Sequence, residues 1–463
     1  MGALDAAGLI DAIGDAARLE SATMARRLAA MAALYHLRLR DDVGRDRAQF
    51  VIDGAEEVTA EIAAAQRISR GRAGKLLENA LVLRDRLPKV AQLFAEGRTD
   101  YRVVSSIVAR TSLVVDEDKV AQVDALVAKS AARWSKLSEK KLTNAIDGIV
   151  VSVDTLAQKP SRTADDDREI VIIPNNDGTA DISGKIREAD AALLDGRLDG
   201  IADTVCPHDP RTKAQRRTDA AGVIGAENSL VCLCGREDCS AAGDVPKRRD
   251  VVVHIMADEE TVRSDGTAPG FISGYGFVDA DTVREIAKSS TLRDVRHPGE
   301  GEVEKSYRPS TALAEFVRLR DLTCRFPGCT APAEACEIDH TTPWPYGPTH
   351  PSNLKLLCKT HHLLKTFDSG PNLWGDKQLP DGTVVWTSPT GHTYTTSPGG
   401  ALFFPMLARP TGTLVLPDEP PISPDRRAMM PTRKRTRANE VRARIEYLRS
   451  LNAKRFAADP PPF

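Results

Sequence analysis

Aromatic residues are scarce in this chain of 463 residues, at 5%. Apolar residues never accumulate into the run of about 20 that a membrane-spanning helix needs, so no membrane partner is expected. An excess of charge is missing too: 63 Lys and Arg stand against 65 Asp and Glu, for a net charge of -2. Any attraction to a polyanion must therefore come from local asymmetry rather than from the total. Cysteine is sparing, at eight residues. These are clustered at metal-type spacings instead of being spread as a disulfide framework, which points to a reducing compartment. The first twenty residues carry acids where a signal peptide carries bases, and a cytoplasmic location is expected.

The length allows two to four domains with ample core. Residues 1 to about 155 read as helices: Met24, Leu28, Met31 and Tyr35 fall at helical spacing in alanine-rich sequence. Several helices follow between Val58 and Thr111, broken at Ser69-Arg70-Gly71, at Pro88 and at Gly97, with Asp100 as a cap. Arg67, Arg70, Arg72 and Lys75 give one turn a basic rim. A linker at Ala164–Arg168 leads into a mixed region. There, Glu169–Ile173 and Thr179–Ile182 flank a turn at Asn175–Gly178, a helix carries Leu194, Leu198 and Ile201 on one face, Val251–Met256 reads as a strand, and Asp281–Ser289 reads as a helix. Cys206, Cys232, Cys234 and Cys239, with His208 as an alternative fourth ligand, make a second candidate zinc site whose role would be folding.

The chemistry concentrates between Cys324 and Thr366. Cys324-x4-Cys329 and Cys358-x2-His361 are two pairs of soft ligands that can enclose one tetrahedral zinc, tying together segments too small to bury a core. Cys336 is expected to be a buried strand thiol. Between the pairs the order is Asp339-His340, Asn353, His362.

That order resembles the HNH nuclease motif, whose β-hairpin and helix carry one divalent cation. The resemblance implies that Asp339 and His362 are ligands of that cation (Mg, Mn or Zn), that His340 is the general base, and that Asn353 braces the loop that orients it. His361 and His362 are consecutive in a helix and point about 100° apart, so they can serve two metals. In a regular strand, however, Asp339 and His340 face opposite sides. The position one turn after His362, where many HNH enzymes place a further ligand, is Thr366.

Cys206–Ala220, the CLCGREDC cluster, the HNH block and Gln378–Thr396 together make the chain similar to a large actinobacterial family of HNH endonuclease proteins, in which a long domain of unknown function precedes the HNH module. The expected fold is α+β, in five parts: a helical domain (1–160), a mixed α+β domain (161–304), a zinc-stapled ββα-metal HNH module (305–370), an appended β-hairpin (371–410) and a basic tail (411–463). A helix entering the HNH block at Pro309-Ser310 turns Leu313, Phe316 and Val317 inward and Arg318 and Arg320 outward. Between Asp425 and Phe456, eleven Lys or Arg face three acids.

The expected activity is metal-dependent hydrolysis of DNA phosphodiester bonds, with RNA not excluded. Arg318, Arg320, Lys355 and Lys359, and in the tail Arg433, Lys434, Arg435 and Arg437, are expected to hold backbone phosphates. The rival expectation is a non-catalytic nucleic-acid-binding protein that keeps the zinc scaffold.

Overall fold

The computed structural model describes residues 5–41, 47–158, 168–175, 179–203, 211–225, 254–272, 276–288, 290–300, 302–367, 373–416 and 430–458. They form two compact units, one made of 1–160 together with 294–463, the other of 161–293.

The first unit begins with seven helices: α1 (Ala6–Asp41), α2 (Gly54–Gln66), α3 (Arg70–Asp85), α4 (Pro88–Ala95), α5 (Tyr101–Arg110), α6 (Glu117–Ala131) and α7 (Glu139–Val153). Their starts are written in short polar side chains. Asp53 accepts from the amide of Glu56 at 2.9 Å, Asp100 from that of Val103 at 2.9 Å and Asp116 from that of Lys119 at 3.0 Å. Each satisfies a first-turn N–H that the helix itself cannot. Leu28 and Met31 are buried with Val58, Leu77, Phe94, Ile107, Val127 and Ile146, while Met24 and Tyr35 pack at the edge of this core. The basic rim is partly consumed: Arg70 pairs with Glu56.

The second unit, taken by itself, is mixed. Strands β1 (Glu169–Pro174) and β2 (Ala180–Lys185) pair antiparallel from Glu169↔Lys185 to Pro174↔Ala180. Helices α8 (Glu188–Ala202) and α9 (Lys213–Gly225) are joined by Arg217 reaching Asp195 and Asp199. Then come β3 (Ile255–Met256), α10 (Glu259–Arg263), β4 (Gly270–Ile272), β5 (Gly276–Val278) and α11 (Ala280–Ala287), with β4 central in an antiparallel sheet. Of the expected strand from Val251, the described part is Ile255–Met256. Cys206, His208, Cys232, Cys234 and Cys239 lie outside the described residues.

The first unit resumes with α12 (Thr311–Asp321), the antiparallel pair β6 (Cys336–His340) and β7 (Leu354–Cys358), helix α13 (Lys359–Thr366), a three-stranded sheet of β8 (Gly375–Gln378), β9 (Val384–Thr387) and β10 (Thr393–Thr396), and helix α14 (Arg437–Ala458). The appended segment is thus three strands rather than a hairpin, with β9 in the middle. Leu313, Phe316, Val317, Leu354, Leu356, Leu364, Trp374 and Trp386 build a second core.

Helix α2 is the wall between the two cores. Val58 and Ile62 belong to the first core, Ala60 and Ala64 to the second. Its alanines permit close approach, and Gly328, at φ +76, comes so near that a Cβ there would lie 2.5 Å from the carbonyl oxygen of Ile68.

The C-terminal segment corrects an expectation. Arg433 and Arg437 are not a free phosphate-holding arm but are ion-paired within the chain, the Arg437 side chain staying 46% exposed. Arg433 reaches Asp53 at 3.2 Å, and Arg437 reaches Asp53 at 3.0 Å and Glu56 at 3.3 Å. Farther along α14, Arg449 meets Asp154 at 2.8 Å, Asn452 donates to the carbonyls of Leu156 and Gln158, and Ile445 and Leu448 pack against the helical core. Two acids at the start of α2 and one at the end of α7 supply the charge that captures this strand of basic sequence. Lys434 and Arg435 remain exposed.

Candidate metal centre and active site

Cys324, Cys329, Cys358 and His361 converge so that their ligand atoms all lie within 4.8 Å of one another. His361 Nδ1 is 3.2 Å from Cys358 Sγ and 3.5 Å from Cys324 Sγ. Ligands about 2.3 Å (sulfur) and 2.0 Å (nitrogen) from a tetrahedral ion stand about 3.5 Å apart, so this donor set fits zinc. The charges agree. Cys358 is drawn far below the ordinary thiol range by hydrogen bonds from Cys324 and Cys329 and then from His361, while burial pushes the Cys324 thiol up and hydrogen bonds with Cys324 and Cys358 do the same for Cys329. Three sulfurs at this spacing cannot all ionise without a cation among them. Phe326 stacks on His361, with centroids 4.0 Å apart and planes 9° apart, and fixes the ring. Cys336, a buried strand thiol directed at the carbonyl of Ala331, borders the cluster at Cys324 without being one of its four converging ligands.

On the same helix His362 points away from this cluster. Its Nδ1 is hydrogen-bonded to Glu337 and its Nε2 lies 3.5 Å from Asp339 Oδ1. Glu337 and Asp339 share one face of β6 because strand side chains alternate. Glu337, a carboxylate, can only accept from Nδ1, and this contact turns Nε2 of His362 towards Asp339. One oxygen and one nitrogen 3.5 Å apart are placed to share a divalent ion.

The other oxygen of Asp339 is committed. Oδ2 accepts from Lys355 Nζ at 2.7 Å and from Lys365 Nζ at 2.6 Å. Both ammonium groups also meet Asp376 of β8, at 2.5 and 3.2 Å. Two buried lysines face two buried carboxylates, the pairing that burial of charge requires, although burial lowers the Lys365 pKa more than Asp339 and Asp376 raise it. Burial alone would raise Asp339, but Lys355 and then Lys365 outweigh it and hold this carboxyl well below the usual carboxylate range.

His340 ends β6 on the opposite side. Its Nε2 is 2.9 Å from Thr349 Oγ1, and its ring stacks on Tyr307 at 5.4 Å and 16°. The Thr349 hydroxyl has one proton and gives it to the carbonyl of Ser306 at 2.6 Å. It therefore accepts from His340 Nε2–H, and the lone pair of this imidazole is on Nδ1. Burial pulls the His340 pKa below its ordinary 6.5, with the opposing pull of Asp339 the smaller effect, so the ring is neutral at pH 7. Asn353 braces the intervening loop: its Oδ1 accepts from the amide of Thr342 at 2.8 Å, and its Nδ2 donates to the carbonyls of Thr342 and Pro348 at 3.0 and 2.9 Å.

Two expected phosphate contacts are corrected. Lys355 is fully buried within the carboxylate cluster. Arg320 is 1% exposed, bonded to Asp321 and to the carbonyls of Pro351 and Leu354, and so ties α12 to β7. Arg318 is exposed, and Lys359 is exposed beside Glu337. Glu337, Lys365, Asp376, Thr349 and Tyr307 were not expected at the site. Strand alternation from Asp339 points to Glu337, and a three-residue step from His362 points to Lys365, whereas nothing local marks Asp376.

A family model described as a domain of unknown function, DUF222, matches residues 15–321. The chain belongs to the DUF222 family. It is 44% identical to the uncharacterized protein Rv3776 of Mycobacterium tuberculosis, over 99% of this chain and 92% of that relative. To the uncharacterized protein Rv2100 of the same organism it is 43% identical, over 99% of this chain and 90% of the relative. No solved structure matches. The DUF222 match ends at Asp321, just before Cys324, so both metal-type ligand groups lie beyond it. Among the described residues no helix is long and apolar enough to cross a membrane.

Proposed function

We propose that this DUF222 protein is a metal-dependent HNH endonuclease that hydrolyses DNA phosphodiester bonds, in the cytoplasm. The observation that carries this reading is the 3.5 Å approach of Asp339 Oδ1 to His362 Nε2 at the foot of a β-hairpin and helix, with a neutral histidine ending the same strand. Asp339 and His362 would hold a divalent cation, which when bound supplies positive charge to the scissile phosphate and its leaving oxygen. The protein's own part is positional. Glu337 accepts from His362 Nδ1 and orients its ring, Lys355 and Lys365 fix the Asp339 carboxylate through Oδ2, and Thr349 fixes His340 so that Nδ1 is free to take a proton from water. The Cys324, Cys329, Cys358 and His361 set would hold a structural zinc that joins the loop before β6 to the start of α13.

A second reading, a zinc-containing nucleic-acid-binding protein without catalysis, draws on the self-sufficient charge balance of Asp339, Asp376, Lys355 and Lys365. Conversion of supercoiled plasmid by the purified protein, in Mg²⁺, in Mn²⁺ and without added cation, separates the two. Nicking that needs the cation and disappears in His340→Ala is the expected result. Plasmid binding without cleavage under every cation would establish the second reading instead.

A further inference from the structure

Tryptophan is rare here, with four residues in the chain. Trp134, Trp374 and Trp386 are buried, whereas Trp344 is 45% exposed. It meets Tyr307, the ring that stacks on the candidate base. Tyr307, 58% exposed, lies face to face with His340 and meets Trp344 edge-on at 6.0 Å and 67°. Both aromatic residues are held by the scaffold that holds His340. The Tyr307 segment is pinned through Thr349, whose hydroxyl donates to the carbonyl of Ser306 and whose own carbonyl accepts from the amide of Glu304 at 3.0 Å. The Trp344 turn is closed by the amide of Gly347 on the carbonyl of Pro343 at 2.9 Å and by Asn353 at both flanks. A Cβ on Gly347 would lie 2.6 Å from Asn353 Nδ2 and 2.3 Å from the carbonyl oxygen of Thr342, so the turn tolerates no larger residue. Lys305 and Arg308 flank Tyr307 in sequence, exposed and with no ion pair among the described residues. Half-exposed aromatic rings held rigid, interleaved with free cations, match the chemistry of a single nucleic-acid strand: π-faces for bases and ammonium or guanidinium for phosphates.

Resting on the nuclease reading, we infer that Tyr307 and Trp344 form a stacking platform for an unpaired base next to the scissile phosphate, so that the preferred substrate is single-stranded or locally unpaired DNA rather than a continuous duplex. A base stacked in a closed duplex has both faces covered and cannot use the platform.

The test is a titration of the full-length, zinc-loaded protein, without added Mg²⁺ or Mn²⁺, with an oligonucleotide and with the duplex of the same sequence. Tryptophan emission and fluorescence anisotropy are read together. Because three of the four tryptophans are buried, quenching reports chiefly on Trp344. The single strand should quench and the duplex should not. Trp344→Ala and Tyr307→Ala should each bind the single strand about tenfold more weakly, at the low end of what base–aromatic stacking contributes. Trp344→Phe, which keeps a ring, should keep the affinity and lose the quenching. Equal affinities for Trp344→Ala and wild type, or equal quenching by duplex, would overturn the platform while leaving the nuclease reading intact. A single strand that stacks but is never cut would leave the platform standing and remove the nuclease. Failure to bind either nucleic acid would overturn both.

Discussion

Asp376 and Asp339 share the same two ammonium groups. Lys355 Nζ lies 2.5 Å from Asp376 and 2.7 Å from Asp339, and Lys365 Nζ lies 3.2 and 2.6 Å from them. The appended sheet is therefore part of the candidate site, since β8 provides the carboxylate without which two buried lysines would face one aspartate. Gln378, two residues on and on the same strand face, donates to the carbonyls of Pro351 and Leu354 at 2.9 and 3.0 Å and fastens the sheet to β7.

Removing one member of such a cluster leaves a buried charge uncompensated. Asp376→Ala should lower the unfolding free energy by about 3–5 kcal/mol, measured by denaturant titration with the appended sheet's Trp386 as reporter. Joint replacement of Asp376 and Lys355 by apolar residues of similar volume should cost much less than the single change, because no unpaired charge remains. An additive double variant would contradict the shared-cluster account.

Zinc content offers a direct count. The four described ligands predict at least one equivalent of tightly bound zinc per chain, and Cys329→Ala should release that equivalent. Phe326, stacked on His361, also touches Trp374 and Trp386 with centroids 4.7 and 5.2 Å away. Stripping the metal should therefore collapse the near-ultraviolet circular dichroism of these tryptophans. A second equivalent that survives both Cys329→Ala and His362→Ala would assign zinc to Cys206, Cys232, Cys234 and Cys239.

The hydrogen bond from His362 Nδ1 to Glu337 orients the ring so that Nε2 is the nitrogen offered to a cation on Asp339. Glu337→Ala should weaken binding of Mn²⁺ about 10- to 100-fold, read by calorimetry on zinc-loaded protein, with little change in melting temperature because Glu337 is substantially exposed. Unchanged Mn²⁺ affinity would remove Asp339 and His362 as the ligand pair.

Much of this was legible before folding. The two Cys/His pairs, the split of His361 from His362 around one helix and the cap at Asp100 all rest on short-range geometry, which sequence spacing records. The misplacements have a different origin. Leu313, Phe316, Val317 and Arg320 follow the spacing of a single helical face, so periodicity places Arg320 inside; its charge argued for the outside, and a partner in Asp321 with two carbonyls reversed that. Lys355 lies on a strand buried along nearly its whole length, with its counterions on β6 and β8. Arg433 and Arg437 find Asp53 and Glu56 at the far end of the chain. Charge read one segment at a time looks like a surface for phosphate, and only long-range pairing shows which charges are already matched.

The last prediction concerns pH. Burial lowers the His340 pKa from 6.5, Asp339 opposes that less strongly, and Lys365 and Lys355 add to the lowering. A divalent cation on Asp339 would act in the same direction. The base form therefore persists below pH 6.5, and the acid limb of the cleavage rate should fall at a pH below that of an unperturbed imidazole. The sign for stability agrees: between the folded pKa and 6.5 the unfolded chain binds a proton that the native chain does not, so stability declines as pH drops through that window and is level above it. Single-turnover cleavage at fixed Mn²⁺, measured from pH 5 to 8 alongside melting temperature, checks both. An acid limb at or above pH 7 would take the role of base away from His340, and with it the inference that Thr349 fixes a neutral, Nδ1-bare ring.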